Sequence, residues 1–131
     1  NFMRINIFFC LNDSKLRSLP LFDHPDIRLF NIRAIHDMDY FDQSIVLLSK
    51  HSTNQRTIRY IRKKNILTPI YLVSPRPMHY KELNGNIHPN NLTYEHLLSI
   101  LSLFPQQFIW NYVFQKDNQK RNFMLQNQSL A

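Results

Sequence analysis

Apolar residues fall into short runs separated by polar stretches, and the run Ser44-Ile45-Val46-Leu47-Leu48-Ser49-Lys50 organises the rest. Its four consecutive apolar residues are β-branched at the front and bounded by Asp42-Gln43 and His51-Ser52. That is too short for an ordinary helix and suits a strand covered on both faces. A central strand of a parallel sheet is predicted, with Ser49 and Lys50 at its carboxyl end. Upstream, residues 4–10 are apolar apart from Arg4 and Asn6 and read as the first strand. Asn12-Asp13-Ser14 offers caps for a brief helix carrying Leu16, Leu19 and Leu21, which Pro20 and Pro25 stop. Residues 27–32 alternate in part and form the second strand; the acidic segment 36–42 reads as a loop or a helix of one to two turns.

Downstream, Ser52, Thr53 or Asn54 caps a helix over residues 55–64, with Ile58 and Ile61 facing inward and basic residues crowding its C-terminal half. Those charges suit the negative end of the helix dipole. Residues 68–74 form the fourth strand, with Pro69 tolerated only at its start. The segment 75–83 holds two prolines and reads as irregular, and residues 86–89 make a short fifth strand ending at Pro89. An amphipathic helix follows, with Tyr94, Leu97, Leu98, Leu101 and Phe104 on one side, until Pro105 breaks or kinks it. Residues 108–114 read as a helix or a strand, and the polar, basic tail to Ala131 as a terminal helix or a segment that orders on a partner.

Strands alternating with helices predict an α/β fold, and at this size the economical arrangement is a flavodoxin-like five-stranded parallel sheet of order 2-1-3-4-5 with helices on both faces. One domain over residues 3–104 with a C-terminal extension over 105–131 accounts for the pattern. A chain of 131 residues with 44% apolar content buries a core without staples. The single Cys10 excludes an internal disulfide and fits a reducing compartment. Asn6 interrupts the first apolar run and Asn12-Asp13 ends it, so neither a signal peptide nor a membrane anchor is read, and cytoplasm is the expected location. With one glycine, Gly85, the chain offers no phosphate-cradling loop, and no cofactor is expected.

The runs at 41–49, 70–74 and 84–92 together resemble response-regulator receiver domains over residues 3–104. Phe41 to Ser49 is similar to the receiver strand that ends in the phosphorylated aspartate. Ile70 to Ser74 is similar to the fourth strand with its switch Ser or Thr. His88-Pro89 stands where receivers carry Lys-Pro at the end of the fifth strand. The departures are chemical. Receivers hold Mg²⁺ with an acidic pair after the first strand, because phosphoryl transfer to a carboxylate needs a divalent ion to gather both sets of oxygens. Here Cys10 and Leu11 occupy that place, with Asp13 the only acid nearby; Ser49 replaces the acceptor and His88 the lysine. Ser74 and Pro89 are retained, and the short separation from Ser74 to His88 implies a fourth helix reduced or absent. The resemblance therefore implies a non-catalytic pseudo-receiver of a regulatory protein, not an enzyme, acting through protein–protein contact or homodimerisation independently of phosphorylation. Such domains usually precede a DNA-binding output domain.

Other readings of the residues remain. Ser49 and Lys50 could pair a nucleophile with a base, but no oxyanion hole or orienting group accompanies them. His36, Asp37, Asp39 and Asp42 show no recognised ligand spacing, so no metal is expected. His51, His79 and His88 would form a pH-sensitive or anion-binding site if they met at the carboxyl edge of the sheet; scattered loop histidines are the plainer reading. Sixteen Lys and Arg against nine Asp and Glu give a net charge of +7, which favours an anionic partner. Arg56, Arg59, Arg62, Lys63 and Lys64 form a basic surface, joined in the tail by Lys116, Lys120 and Arg121. The alternative function is accordingly a small nucleic-acid-binding module built on the 55–64 helix and the tail, against a solvated helix face or a patch for an acidic protein. The expected interaction surface consists of Leu98, Leu101, Phe108, Trp110, Tyr112 and Phe114, since a helix cannot bury all of the aromatic positions.

Overall fold

The computed structural model describes residues 4–10, 13–37, 43–51, 55–64 and 68–104. Leu11, the residues 38–42, and the extension from Pro105 with Phe108, Trp110, Tyr112 and Phe114 lie outside the described residues, as does the side chain of Lys64.

Five parallel strands build one sheet: β1 (Ile5–Phe9), β2 (Ile27–Asn31), β3 (Gln43–Ser49), β4 (Ile70–Val73) and β5 (Gly85–Ile87), in the order β2-β1-β3-β4-β5. This is the flavodoxin-like arrangement expected from the alternating runs. In β3 every residue from Ser44 to Leu48 is buried, as a strand packed on both faces requires. Side chains of successive residues point to opposite faces, which divides the core in two. Ile5, Ile7, Phe9, Ile45, Leu47, Tyr71 and Val73 lie on one side; Phe8, Val46, Leu48 and Ile70 lie on the other.

The first face is covered by α1 (Ser14–Arg17), a 3₁₀ turn at Pro20–Asp23, and α3 (Tyr94–Leu101). Helix α1 is as brief as its prolines demand. Asp13 caps it by accepting the Leu16 N–H, and Ser18 ends it. Thr93 caps α3 by accepting the His96 N–H at 3.1 Å. Leu97, Ile100 and Leu101 are buried, while Tyr94, Leu98 and Phe104 pack half-exposed against them. This corrects the reading of Leu101 as an interaction residue: at 1% exposure it belongs to the core, because α3 turns a wide apolar arc rather than a narrow stripe to the sheet.

The second face is covered by α2 (Gln55–Lys64), which inserts Ile58 and Ile61, and by a 3₁₀ helix at Ile32–Asp37, which inserts Ile32 and Ile35. Between β4 and β5 there is no helix. Residues 75–84 cross this face as an irregular strap, with Tyr80 and Leu83 tucked against the α2 core. The short spacing between Ser74 and His88 predicted that reduction. Glu82 adopts φ 68° in the strap, and the Leu83 N–H closes a turn onto the Tyr80 carbonyl at 3.2 Å.

Asn6 is the exception within the core. It lies 3% exposed in β1, in register between Arg28 and Ser44, and its Oδ1 has no hydrogen-bond partner among the described residues.

Candidate functional site at the carboxyl edge of the sheet

In an open parallel sheet the ligand crevice lies beyond the carboxyl ends of the strands, where the connections leave in opposite directions. Here the crossover after β1 runs over the α1 face and the crossover after β3 over the α2 face, which puts that point between β1 and β3. Cys10 follows β1, half-buried, and its carbonyl accepts the Asp13 N–H at 2.9 Å. That tight turn brings Asp13 back to α1, where its carboxylate caps the helix. Asp13, the acid that follows β1, is therefore engaged in holding a helix end.

The register sets Ser49 beside Val73, and Val73 beside Ile87, so Ser74 and His88 follow their strands one residue beyond the level of Ser49. Ser49 is half-buried; Lys50 and His51 leave it in an exposed turn. Ser74 is 5% exposed. Its N–H donates to the Ile87 carbonyl at 3.0 Å and its Oγ accepts the Arg76 N–H at 3.3 Å, so the hydroxyl is turned into its own loop. His88 is exposed and caps the 3₁₀ turn at Pro89–Asn91, its Nδ1 accepting the Asn90 N–H at 3.1 Å. A ring accepting at Nδ1 carries its proton at Nε2 when neutral. Pro89 opens that turn, where its fixed φ and missing N–H cost nothing.

Cys10, Asp13, Ser49, Ser74, His88 and Pro89 thus end or follow strands β1, β3, β4 and β5 of the sheet. Each has a structural task or a half-buried setting, and a serine rather than a carboxylate ends the central strand. Among the described residues no group of three or more His, Cys, Asp or Glu is arranged to hold a metal ion. No helix among them is long and apolar enough to cross a membrane.

The basic residues of α2 divide. Arg56, Arg59 and Lys63 are exposed. Arg62 instead reaches into the fold, donating to the carbonyls of Thr68 and Glu82 and to Asn84 Oδ1. Burial pushes its guanidinium below the usual arginine value, which the nearby Glu82 charge partly opposes. At the other end of α2, the Gln55 amide exchanges two hydrogen bonds with the Lys81 backbone, each 3.0 Å. Asn86 does the same with Met78, at 3.2 and 3.1 Å. Three side chains therefore fasten the strap, and the sequence flagged none of them for this task. The contacts run from side chain to backbone across as many as 26 residues, which no local pattern encodes.

A second concavity lies on the α1 and α3 face, a groove of about 600 Å³ between the turn at Pro20–Asp23 and the start of α3. Its wall is a parallel stack of His24 on Tyr94, centroids 4.1 Å apart. Burial raises the Tyr94 phenol, and the charges of Asp26 and Glu95 raise it further.

No family model, curated protein or solved structure matches the chain.

Proposed function

We propose that this chain is a receiver-like domain of a cytoplasmic regulatory protein that performs no phosphoryl transfer and acts by binding another protein, in the first instance a second copy of itself. The reading rests on Ser49 at the end of the central strand. A serine hydroxyl forms no acyl phosphate, and the neighbouring Asp13 carboxylate is occupied as a helix cap, so the edge is short of the acids that gather a divalent ion. The fastened strap supports the same view. A receiver's switch needs the segment after β4 to move, and here Gln55, Arg62 and Asn86 hold it to α2 and β5. The interaction face is then the exposed side at the end of α3, where Leu98 is half-buried and Leu103 is 71% exposed.

Incubation with acetyl phosphate and Mg²⁺ followed by intact-protein mass spectrometry tests the chemical half of the proposal. The unmodified mass is expected; a phosphoryl adduct on an aspartate, labile in both acid and base and removed by hydroxylamine, would overturn it.

A further inference from the structure

Helix α2 carries five cations and no acid. Arg62 is withdrawn into the strap, but Arg56, Arg59 and Lys63 stand exposed, and Tyr60 among them is 44% exposed. Residues three, four and seven apart share a helix face, so Arg56, Arg59, Tyr60 and Lys63 form one stripe about 10 Å long at 1.5 Å per residue. The Gln55 contact anchors the strap at the head of that stripe and adds the exposed Lys81. Like charges at these spacings repel one another, and an anionic partner relieves that repulsion. Of the described acids, Asp13 caps α1, Asp23 and Glu95 line the groove on the opposite face of the sheet, Asp26 acts on Tyr94 there, and Asp37 ends the 3₁₀ helix that shares a face with α2. Glu82 alone lies on the strap, where its charge acts on Arg62.

We propose that this stripe binds single-stranded nucleic acid, the cations following the phosphates and the Tyr60 ring receiving an unpaired base. Cations alternating with an exposed aromatic are what a single strand engages, since every base has a face to stack. A duplex keeps its base faces inside the stack and offers the ring none. An acidic protein would use the charges but gain little from the ring. The inference is independent of the function proposed above.

Fluorescence anisotropy tests it with the full chain and labelled oligouridylate and oligothymidylate of about 12 nucleotides, a length within known single-strand site sizes. Three neutralised phosphates at about 0.7 each predict a log–log salt slope of about −2, hence a loss of roughly 15-fold to 20-fold in affinity between about 50 and about 200 mM salt. The double variant Arg59→Gln, Lys63→Gln should bring the slope to about −0.7. Tyr60→Ala should weaken binding about five-fold or more with the slope unchanged, and Tyr60→Phe should retain the affinity. Melting curves of each variant establish that the fold is kept. The proposal is overturned by the absence of binding, by a slope that the double variant leaves untouched, or by a duplex or polyglutamate that binds as tightly without regard to Tyr60. Preference for one of the two sugars identifies the source of the strand, and equal Tyr60-dependent binding of both supports the proposal as well.

Discussion

Arg62 and Asn84, 22 residues apart, are joined by a hydrogen bond from the guanidinium to Asn84 Oδ1, and the same oxygen accepts the Ile70 N–H at 2.8 Å. The Asn84 N–H in turn donates to the Ile70 carbonyl at 2.9 Å. One arginine thereby ties α2, the start of β4 and the end of the strap together. A planar, forked donor can reach three acceptors at once, which a lysine ammonium at the end of a flexible stem does poorly.

Arg62→Met should therefore lower unfolding stability by about 1.5–3 kcal/mol, the range for hydrogen bonds to charged groups. Arg62→Lys should recover little of it. Arg59→Gln, one turn away on the exposed side, should stay within about 0.5 kcal/mol. Urea denaturation of the three variants separates the arginine that holds the fold from those that face solvent. Equal effects at the two positions would remove the clamp.

Gly85 sits opposite Tyr71 in the β4–β5 register, and a Cβ there would come within 2.8 Å of Tyr71 Cε2. The ring has little room to retreat. It is 9% exposed and meets Phe104 edge-on at a centroid distance of 6.5 Å. Gly85→Ala should cost about 1–3 kcal/mol, as overpacking usually does. In a Tyr71→Leu background most of that penalty should vanish, and the coupling in a double-mutant cycle measures it. Additive effects would contradict the contact.

Burial also raises the Tyr71 phenol above its ordinary value, as it does for Tyr94. In the unfolded chain these phenols ionise near pH 10. Once the pH passes that point, the unfolded state holds fewer protons than the folded state, and stability falls as pH rises toward the folded values. Below it the two tyrosines contribute no slope. Urea midpoints followed from about pH 8 to about pH 11 should decline at the alkaline end, and Tyr71→Phe should decline less steeply. An identical decline in the variant would exclude Tyr71 as a source.

The central strand was legible because Ile45 to Leu48 are consecutive apolar residues, and α2 because Ile58 and Ile61 recur at helical spacing between a polar cap and a basic end. Sheet order followed from the same alternation. The interior of α3 was less legible. Ile100 and Leu101 are both buried, and a face chosen by spacing alone took one as core only in part and passed over the other. Side chains that bond to distant backbone left no pattern at all. Arg62 reads as one more cation in Arg59-Tyr60-Ile61-Arg62-Lys63-Lys64, and only the strap's carbonyls distinguish it from its neighbours. His24 and Tyr94 meet through the packing of two connections on one face, which depends on the whole sheet being in place.

Light scattering of the full chain, before and after treatment with acetyl phosphate and Mg²⁺, tests the central claim most directly. The function proposed above, with Ser49 ending the central strand and Arg62 fastening the strap, predicts the same dimer mass in both samples. A monomer at high concentration, or a dimer that forms only after treatment, would contradict it.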